Sequence, residues 1–453
     1  MSPTISGSPT HMLAEYAVTT SIDRIPADVK ERARLLIIDE MASACLGTRS
    51  LGGGLAARYA TSIGGTPESR LLGTDVRVPA ALAALANGTA GHGEEVDGAH
   101  SVGGHPGATI VNAAVAVAER QRATGADLLN AVVLGYDVGI RVVRACGGVF
   151  GMRDRLHLFS DMNYALGAAA ASARLLGLDA TRHRYALALT TFQANGLFAF
   201  FQEKRHISKS FANGQYGSAG VTAALMAAMG FEGCDDVIGG PNGVLEAWGV
   251  PDGGDLVTAA LGTDYAVTTA NFKFINAGYP IHAAAEAATT LLRTHGLAAQ
   301  DVEELNIGMP RNALRVVDNR HMHNICVQDM VCAAVVEDGI SIRAVPFPAI
   351  LGDPEFTRLR AAVTTGVDPE LDAEQPDGRG ARVSITTRSG LRVSEKVQAP
   401  KGHCTRGPID WDDLDAKWRD GLPDHDIDTI LRLGRDLDDI DDVSVLTAAF
   451  RPR

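Results

Sequence analysis

ATIVNAAVAVAERQRATGADLLNAVVLGYDVGIRVVRAC, residues 108–146, reads as two successive helices that are apolar nearly all round. A helix on a protein surface shows a polar face, so segments of this kind belong inside a helical assembly. VPAALAALANGTAGHG (78–93), NYALGAAAASARLLGL (163–178) and SAGVTAALMAAMGF (218–231) follow the same pattern. Upstream, IPADVKERARLLIIDEMASACLG (25–47) places Val29, Ala33, Leu36, Ile37, Met41 and Ala44 at helical spacing behind Pro26. Strands do not alternate with these helices, which argues against a Rossmann or TIM-type sheet. The uncharged run from Gly214 to Phe231 carries four Gly plus Gln, Ser and Thr, and is expected to be a buried helix and not a membrane span.

The pattern changes near residue 269. A helix is expected over Pro280–His295, a strand at VEELNIGMP (302–310), and a hairpin at ARVSITTRSGLRVSEKV (381–397), where two β-branched runs flank Ser389-Gly390. Beyond Pro400 the chain returns to helix, with Ile427, Ile430, Leu431, Gly434, Leu437 and Ile440 on one apolar face. The fold expected is mainly α: a helical domain over 1–268, a smaller α+β domain over 269–397, and C-terminal helices over 398–453 that pack back on the first domain.

The 453 residues carry 41 Lys and Arg against 54 Asp and Glu, a net charge of −13. Thirteen of the Asp lie between Asp410 and Asp442, against four basic residues, and read as a solvated face. No basic face stands out for a phosphate backbone, so no nucleic-acid partner is expected. Six cysteines, at 45, 146, 234, 326, 332 and 404, contain no C-x-x-C pair, which suits a reducing compartment. The start MSPTISGSPTHMLAEY lacks a basic segment followed by an apolar one, so a cytoplasmic protein without membrane attachment is expected.

Chemistry concentrates in GHGEEVDGAHSVGGHPG (91–107), which brings His92, Glu94, Glu95, Asp97, His100 and His105 into one Gly-rich connection. Their spacing matches no metal motif such as H-E-x-x-H, and acid–base work by a His with carboxylate neighbours is the better reading. A structural role, as caps joining two helices, suits any one of them. KRHISKSFANGQYGSAG (204–220) sets Lys204, Arg205, His206 and Lys209 just before a Gly-rich helix start, a pattern suited to carboxylates. A solvated loop is the plain alternative for any one of the Lys. NFKFINAGYPIH (271–282) embeds Lys273 among Phe272, Phe274 and Ile275, either snorkelling or aimed at a partner. DNRHMHN (318–324) adds a weaker cluster of Arg320, His321 and His323. Walker, G-x-S-x-G and strand-borne G-x-G-x-x-G motifs are absent, so nucleotide chemistry lacks support.

These stretches, in order, resemble the MmgE/PrpD family: ANGTAGHGEEVDGAH, HPGATIVNAAVAVAE, GAAAASARLLGLD, KSFANGQYGSAGVTAALMAAMGFEG, FKFINAGYPIHAAAEAATTLL and VCAAVVEDG. The family includes 2-methylcitrate dehydratase, cis-aconitate decarboxylase and iminodisuccinate epimerase. The resemblance implies a helical domain built from both chain ends, an inserted α+β domain, a homodimer, and no metal or organic cofactor. It puts His105 on the family's active-site His, Lys209 and Lys273 on its two active-site Lys, and His157 near another family His. Glu95 replaces the usual Asp of an H-x-x-D-F-D-D-T stretch, and Asp97 keeps a later acid. Ala99, Gly278 and Met330 stand where relatives carry Thr, His and Tyr, which points to a different carboxylate substrate and an enlarged pocket.

The implied chemistry is proton transfer beside a carboxylate, with His105 as acid or base oriented by Glu95 or Asp97. Lys209 and Lys273 would stabilise the developing charge. His100, His157, Lys204, Arg205 and His206 are expected to bind substrate. A dehydratase-type lyase on a small di- or tricarboxylic acid comes first, a dicarboxylate epimerase second, and a weak organic-acid binding protein third. Retention of His105, Lys209 and Lys273 together speaks against the third.

Overall fold

The computed structural model describes residues 7–205, 207–343, 345, 347–375 and 378–453. The chain divides into two units. Unit 1 comprises 1–93, 97–270 and 410–453; unit 2 comprises 94–96 and 271–409.

Unit 1 is helical. Helices α1 (Ala27–Gly47), α2 (Ala80–Gly91), α3 (Pro106–Gln121), α4 (Gly125–Ala145), α5 (Tyr164–Leu175) and α6 (Ile207–Ala228) form its interior. Pro106 occupies the first position of α3, where a missing N–H costs nothing. Thr124 and Asp127 close a capping box that starts α4. Small residues let α2 and α6 touch through their backbones. A Cβ at Gly88 would stand 2.8 Å from the Gly214 Cα, and a Cβ at Gly214 would collide with the Leu85 carbonyl. Only glycine permits that approach at either position.

The helix Trp411–Gly421 returns to α1 through a buried ion pair, Lys417 Nζ to Asp39 Oδ1 at 2.7 Å. The apolar face expected near the C-terminus is split between a helix, Ile427–Arg435, and a 3₁₀ turn, Leu437–Asp439. Its six residues are all buried, and a Cβ at Gly434 would meet the side chain of Ile38 in α1. Residues 214–228 of the uncharged run belong to α6, and Met229, Gly230 and Phe231 follow its end. Among the described residues no helix is long and apolar enough to cross a membrane.

Unit 2 is an α+β body. Helix α7 (His282–His295) follows a 3₁₀ turn over Tyr279–Ile281 that takes up the expected start at Pro280. Strands β1 (Val302–Met309), β2 (Val363–Val367), β3 (Ala381–Thr387) and β4 (Arg392–Val397) form a sheet in the order β2-β1-β3-β4. β1 runs parallel to β2, with Ile307 opposite Thr365, and antiparallel to β3, with Ile307 opposite Val383. β3 and β4 form the hairpin around Ser389-Gly390, with Ala381 opposite Val397. In β3, Ala381, Val383, Ile385 and Thr387 are buried and the residues between them are not. This period-2 face packs with α7 and with α8 (Val327–Val336) in one apolar core. The stretch 398–409 counts with this unit because Gly402 O accepts from Phe272 N and Cys404 N donates to Asn271 Oδ1.

Candidate active site

In unit 1 the connection from α2 to α3 builds a buried cluster. His92 caps the end of α2, and His105 is the residue before the first turn of α3. Asp97, with no exposed surface, lies 3.0 Å from His92 Nδ1 through Oδ1 and 3.1 Å from His105 Nδ1 through Oδ2. The two imidazoles sit 4.1 Å apart, tilted by 47°. His105 Nδ1 also lies 3.0 Å from the Gly98 carbonyl oxygen. With two acceptors facing it, Nδ1 is placed to donate, which leaves Nε2 as the atom where a proton can be taken or given. Lys209 Nζ stands 3.2 Å from that Nε2. A His oriented by a buried carboxylate, with its second nitrogen beside a cation, is a base or acid in waiting.

Helix α6 starts earlier than the sequence suggests. It opens at Ile207, so Lys209 lies in its first turn and not ahead of it. The His105 backbone N–H donates to Asp161 Oδ2 at 3.0 Å. Burial pushes the Asp161 carboxyl up to about 6, with the Lys209 charge and the His105 N–H opposing.

In unit 2, Lys273 has no exposed surface and donates to Glu95 twice, at 3.0 Å to Oε2 and 3.0 Å to its carbonyl oxygen. Glu95 adopts φ of 53°, a conformation that costs a residue with a Cβ and clusters at functional sites. Glu94 Oε2 lies 3.4 Å from Asn276 Nδ2, and burial raises its carboxyl above the usual range.

The remaining expected residues are placed differently. His100 is buried with both nitrogens engaged: Nδ1 accepts from Val102 N at 3.2 Å, and Nε2 reaches Ala266 O at 2.9 Å. Burial lowers its pKa to about 4, so it stays neutral as an internal brace. His157 is exposed at the end of the helix Gly148–Leu156, and Lys204 and Arg205 are exposed ahead of α6. His206 lies outside the described residues. Met330 belongs to the unit 2 core beside Val327 and Val331, so its thioether fills a core position and does not grease a pocket. A Cβ at Gly278 would meet Ile325 Cγ2 at 3.3 Å, so the space beside it is already taken. His323, from the weak cluster, is held at Nδ1 by Asp329 Oδ2 at 2.7 Å, and Arg360 Nε lies 2.6 Å from the other oxygen.

Two residues near His105 escaped the sequence reading, Asp161 and Glu40. The available signal for Glu40 was Asp39-Glu40 standing inside the apolar run LLIIDEMASACLG (35–47). Buried acids in such a run need partners or protons.

The chain matches the MmgE/PrpD N-terminal domain over residues 11–252 and the MmgE/PrpD C-terminal domain over residues 276–426. It belongs to the MmgE/PrpD family. Among curated relatives, cis-aconitate decarboxylase of Homo sapiens is 24% identical over 444 residues, covering 93% of this chain and 90% of that protein. Cis-aconitate decarboxylase of Aspergillus terreus is 24% identical over 420 residues, covering 87% and 85%. Cis-aconitate decarboxylase-like protein oryM of Aspergillus oryzae is 26% identical over 463 residues, covering 92% and 91%.

Proposed function

We propose that this protein is a lyase acting on a small di- or tricarboxylic acid by proton transfer beside a carboxylate, dehydratase-type in its reaction. The observation that carries the reading is the Asp97–His105–Lys209 arrangement, with 3.1 Å and 3.2 Å separations on opposite sides of one imidazole. His105 Nε2 takes the proton from the carbon next to a carboxylate. The electron pair left behind spreads into that carboxylate as an enediolate, and Lys209 stabilises the charge. Collapse of the enediolate expels hydroxide from the neighbouring carbon as water, protonated by the His105 imidazolium. Lys273 is proposed to serve the same substrate, with Glu95 holding its ammonium until a substrate carboxylate arrives.

The relatives named as decarboxylases support a lyase, and loss of CO₂ would leave an enediolate that His105, entering that route as the imidazolium, would protonate from Nε2. Neither route calls on a metal or an organic cofactor. The same reading includes a cytoplasmic homodimer.

The test is incubation of a panel of di- and tricarboxylates in D₂O, followed by proton NMR. A new alkene with loss of water supports the dehydratase. Release of CO₂ with one deuterium incorporated replaces it by a decarboxylase. Exchange at the α-carbon without net loss replaces it by an epimerase. Saturable binding of an acid with no exchange by wild type refutes an enzyme.

A further inference from the structure

Glu40 lies in α1, fully buried, one residue beyond the Asp39 that holds Lys417. Its Oε1 accepts from the Gly98 N–H at 2.9 Å. The carbonyl of the same residue, Gly98, accepts from His105 Nδ1 at 3.0 Å. Glu40 and His105 are thus joined through one glycine. The first turn of α3 is shaped to admit this carboxyl, since a Cβ at Gly107 would collide with it. Glu40 Oε2 has no hydrogen-bond partner among the described residues.

Three carboxyls share this interior. Asp97 faces the N–H groups of His92 and His105, and Asp39 faces Lys417 and the Trp418 N–H. Glu40 has one peptide N–H, with Asp97 and Asp39 as charged neighbours and with Lys417 and Tyr136 of α4 also within electrostatic reach. Burial raises its pKa well above the usual range, and the charges of Asp97 and Asp39 raise it further. Close carboxyls in a buried site oppose one another's ionisation, and Glu40, with one peptide N–H facing it and no cation beside it among the described residues, is the one its surroundings favour in the protonated form.

We propose that Glu40 is a positioning residue for His105: as a neutral carboxylic acid it holds the Gly98 peptide, whose carbonyl keeps the proton on His105 Nδ1 and leaves Nε2 as the reacting atom. The proposal rests on the reading of His105 as the acid–base group. Around His105 itself stand Asp97, His92, Asp161 and Lys209. A hydrogen-bonded peptide is polarised, so an acceptor at its N–H strengthens its carbonyl as an acceptor in turn. Without Glu40 the Gly98 N–H is buried and unsatisfied, and the peptide is released to turn.

The experiment uses the full chain labelled with ¹⁵N-histidine, and two-bond nitrogen–proton correlations that report the tautomer of each imidazole. The His105 signals are identified by their loss in His105→Gln. Wild type is expected to show the Nδ1–H tautomer at His105. Glu40→Met is expected to show a mixture, and Glu40→Gln to restore the wild-type pattern, because its amide oxygen accepts the same N–H. A pure Nδ1–H tautomer in Glu40→Met, or a mixture in Glu40→Gln, overturns the proposal. Should Glu40→Met fail to fold, the infrared difference between wild type and Glu40→Gln decides. A protonated-carboxyl band in wild type at neutral pH supports the proposal, and its absence overturns it. These measurements use no substrate, so a failure of the tautomer prediction is told apart from a failure of the functional reading, which the search for turnover tests.

Discussion

Replacing Lys417 by Met should destabilise the protein by about 3–5 kcal/mol at pH 7, the usual penalty for removing one partner of a buried ion pair. Both side chains are fully buried, and Nζ lies 2.7 Å from Asp39 Oδ1. After the change, Oδ1 keeps the Trp418 indole N–H at 2.9 Å, while Oδ2 has no hydrogen-bond partner among the described residues. The cation that offsets Asp39 and Glu40 would be gone. Asp39 would then take up a proton to fold, at about 1.4 kcal/mol for each pH unit above its unfolded pKa near 3.9. Met fills the volume of the Lys stem, so no large cavity adds to the cost. Urea unfolding followed by circular dichroism measures the loss as a fall in midpoint. The sign of the pH dependence follows from the raised folded pKa. The variant's deficit should be smallest near pH 4 and grow as pH rises. Asp39→Asn combined with Lys417→Met should recover at least half of the deficit, because no buried charge then remains. A loss under about 1 kcal/mol for Lys417→Met, well below the usual range for a buried pair, would refute this account. So would a double variant no more stable than the single one.

Four further outcomes are expected. His105→Ala should cut turnover by roughly 10²–10⁴-fold, as for other general acid–base groups, with substrate affinity largely kept in a calorimetric titration. Asp161 is raised to about 6, so its contribution to stability is full below its unfolded pKa near 3.9 and is lost as pH rises through about 6. Wild type should therefore lose about 2–3 kcal/mol relative to Asp161→Asn between pH 4 and pH 7, read from urea midpoints. The proposed homodimer should sediment as a dimer in sedimentation velocity, and a monomer would refute that part of the reading. Dialysis against a chelator should leave turnover unchanged, and restoration by one divalent ion after a loss would reinstate a metal reading.

Helix-dominated architecture was legible because unit 1 buries helices on all sides, and such helices carry no polar stripe. The hairpin at Ser389-Gly390 was legible from its own turn chemistry. The boundary at 398 was not, because 398–409 is held to unit 2 by hydrogen bonds to the Phe272 backbone and the Asn271 side chain, which leave no mark on hydropathy. At the site, the resemblance singled out His105, Lys209 and Lys273, yet His100 looked equivalent to His105 from one sequence. What separates them is the third dimension, since Ala266 and Val102 occupy both nitrogens of His100. Glu40 was hidden for the opposite reason. It lies more than fifty residues upstream of the cluster it touches, and only the packing of α1 against the start of α3 brings it there.

The contact between Gly88 and Gly214 also bears on how this protein can change. Helix α2 ends at the loop that carries His92, and α6 begins with the turn that carries Lys209. Where two helices meet through backbone alone, no layer of side chains can thicken or thin as the sequence drifts. Their spacing is fixed by peptide geometry, as in a calliper with a hard stop. Substitutions can therefore accumulate over the rest of both helices while the spacing between the end that carries His92 and the turn that carries Lys209 holds its width.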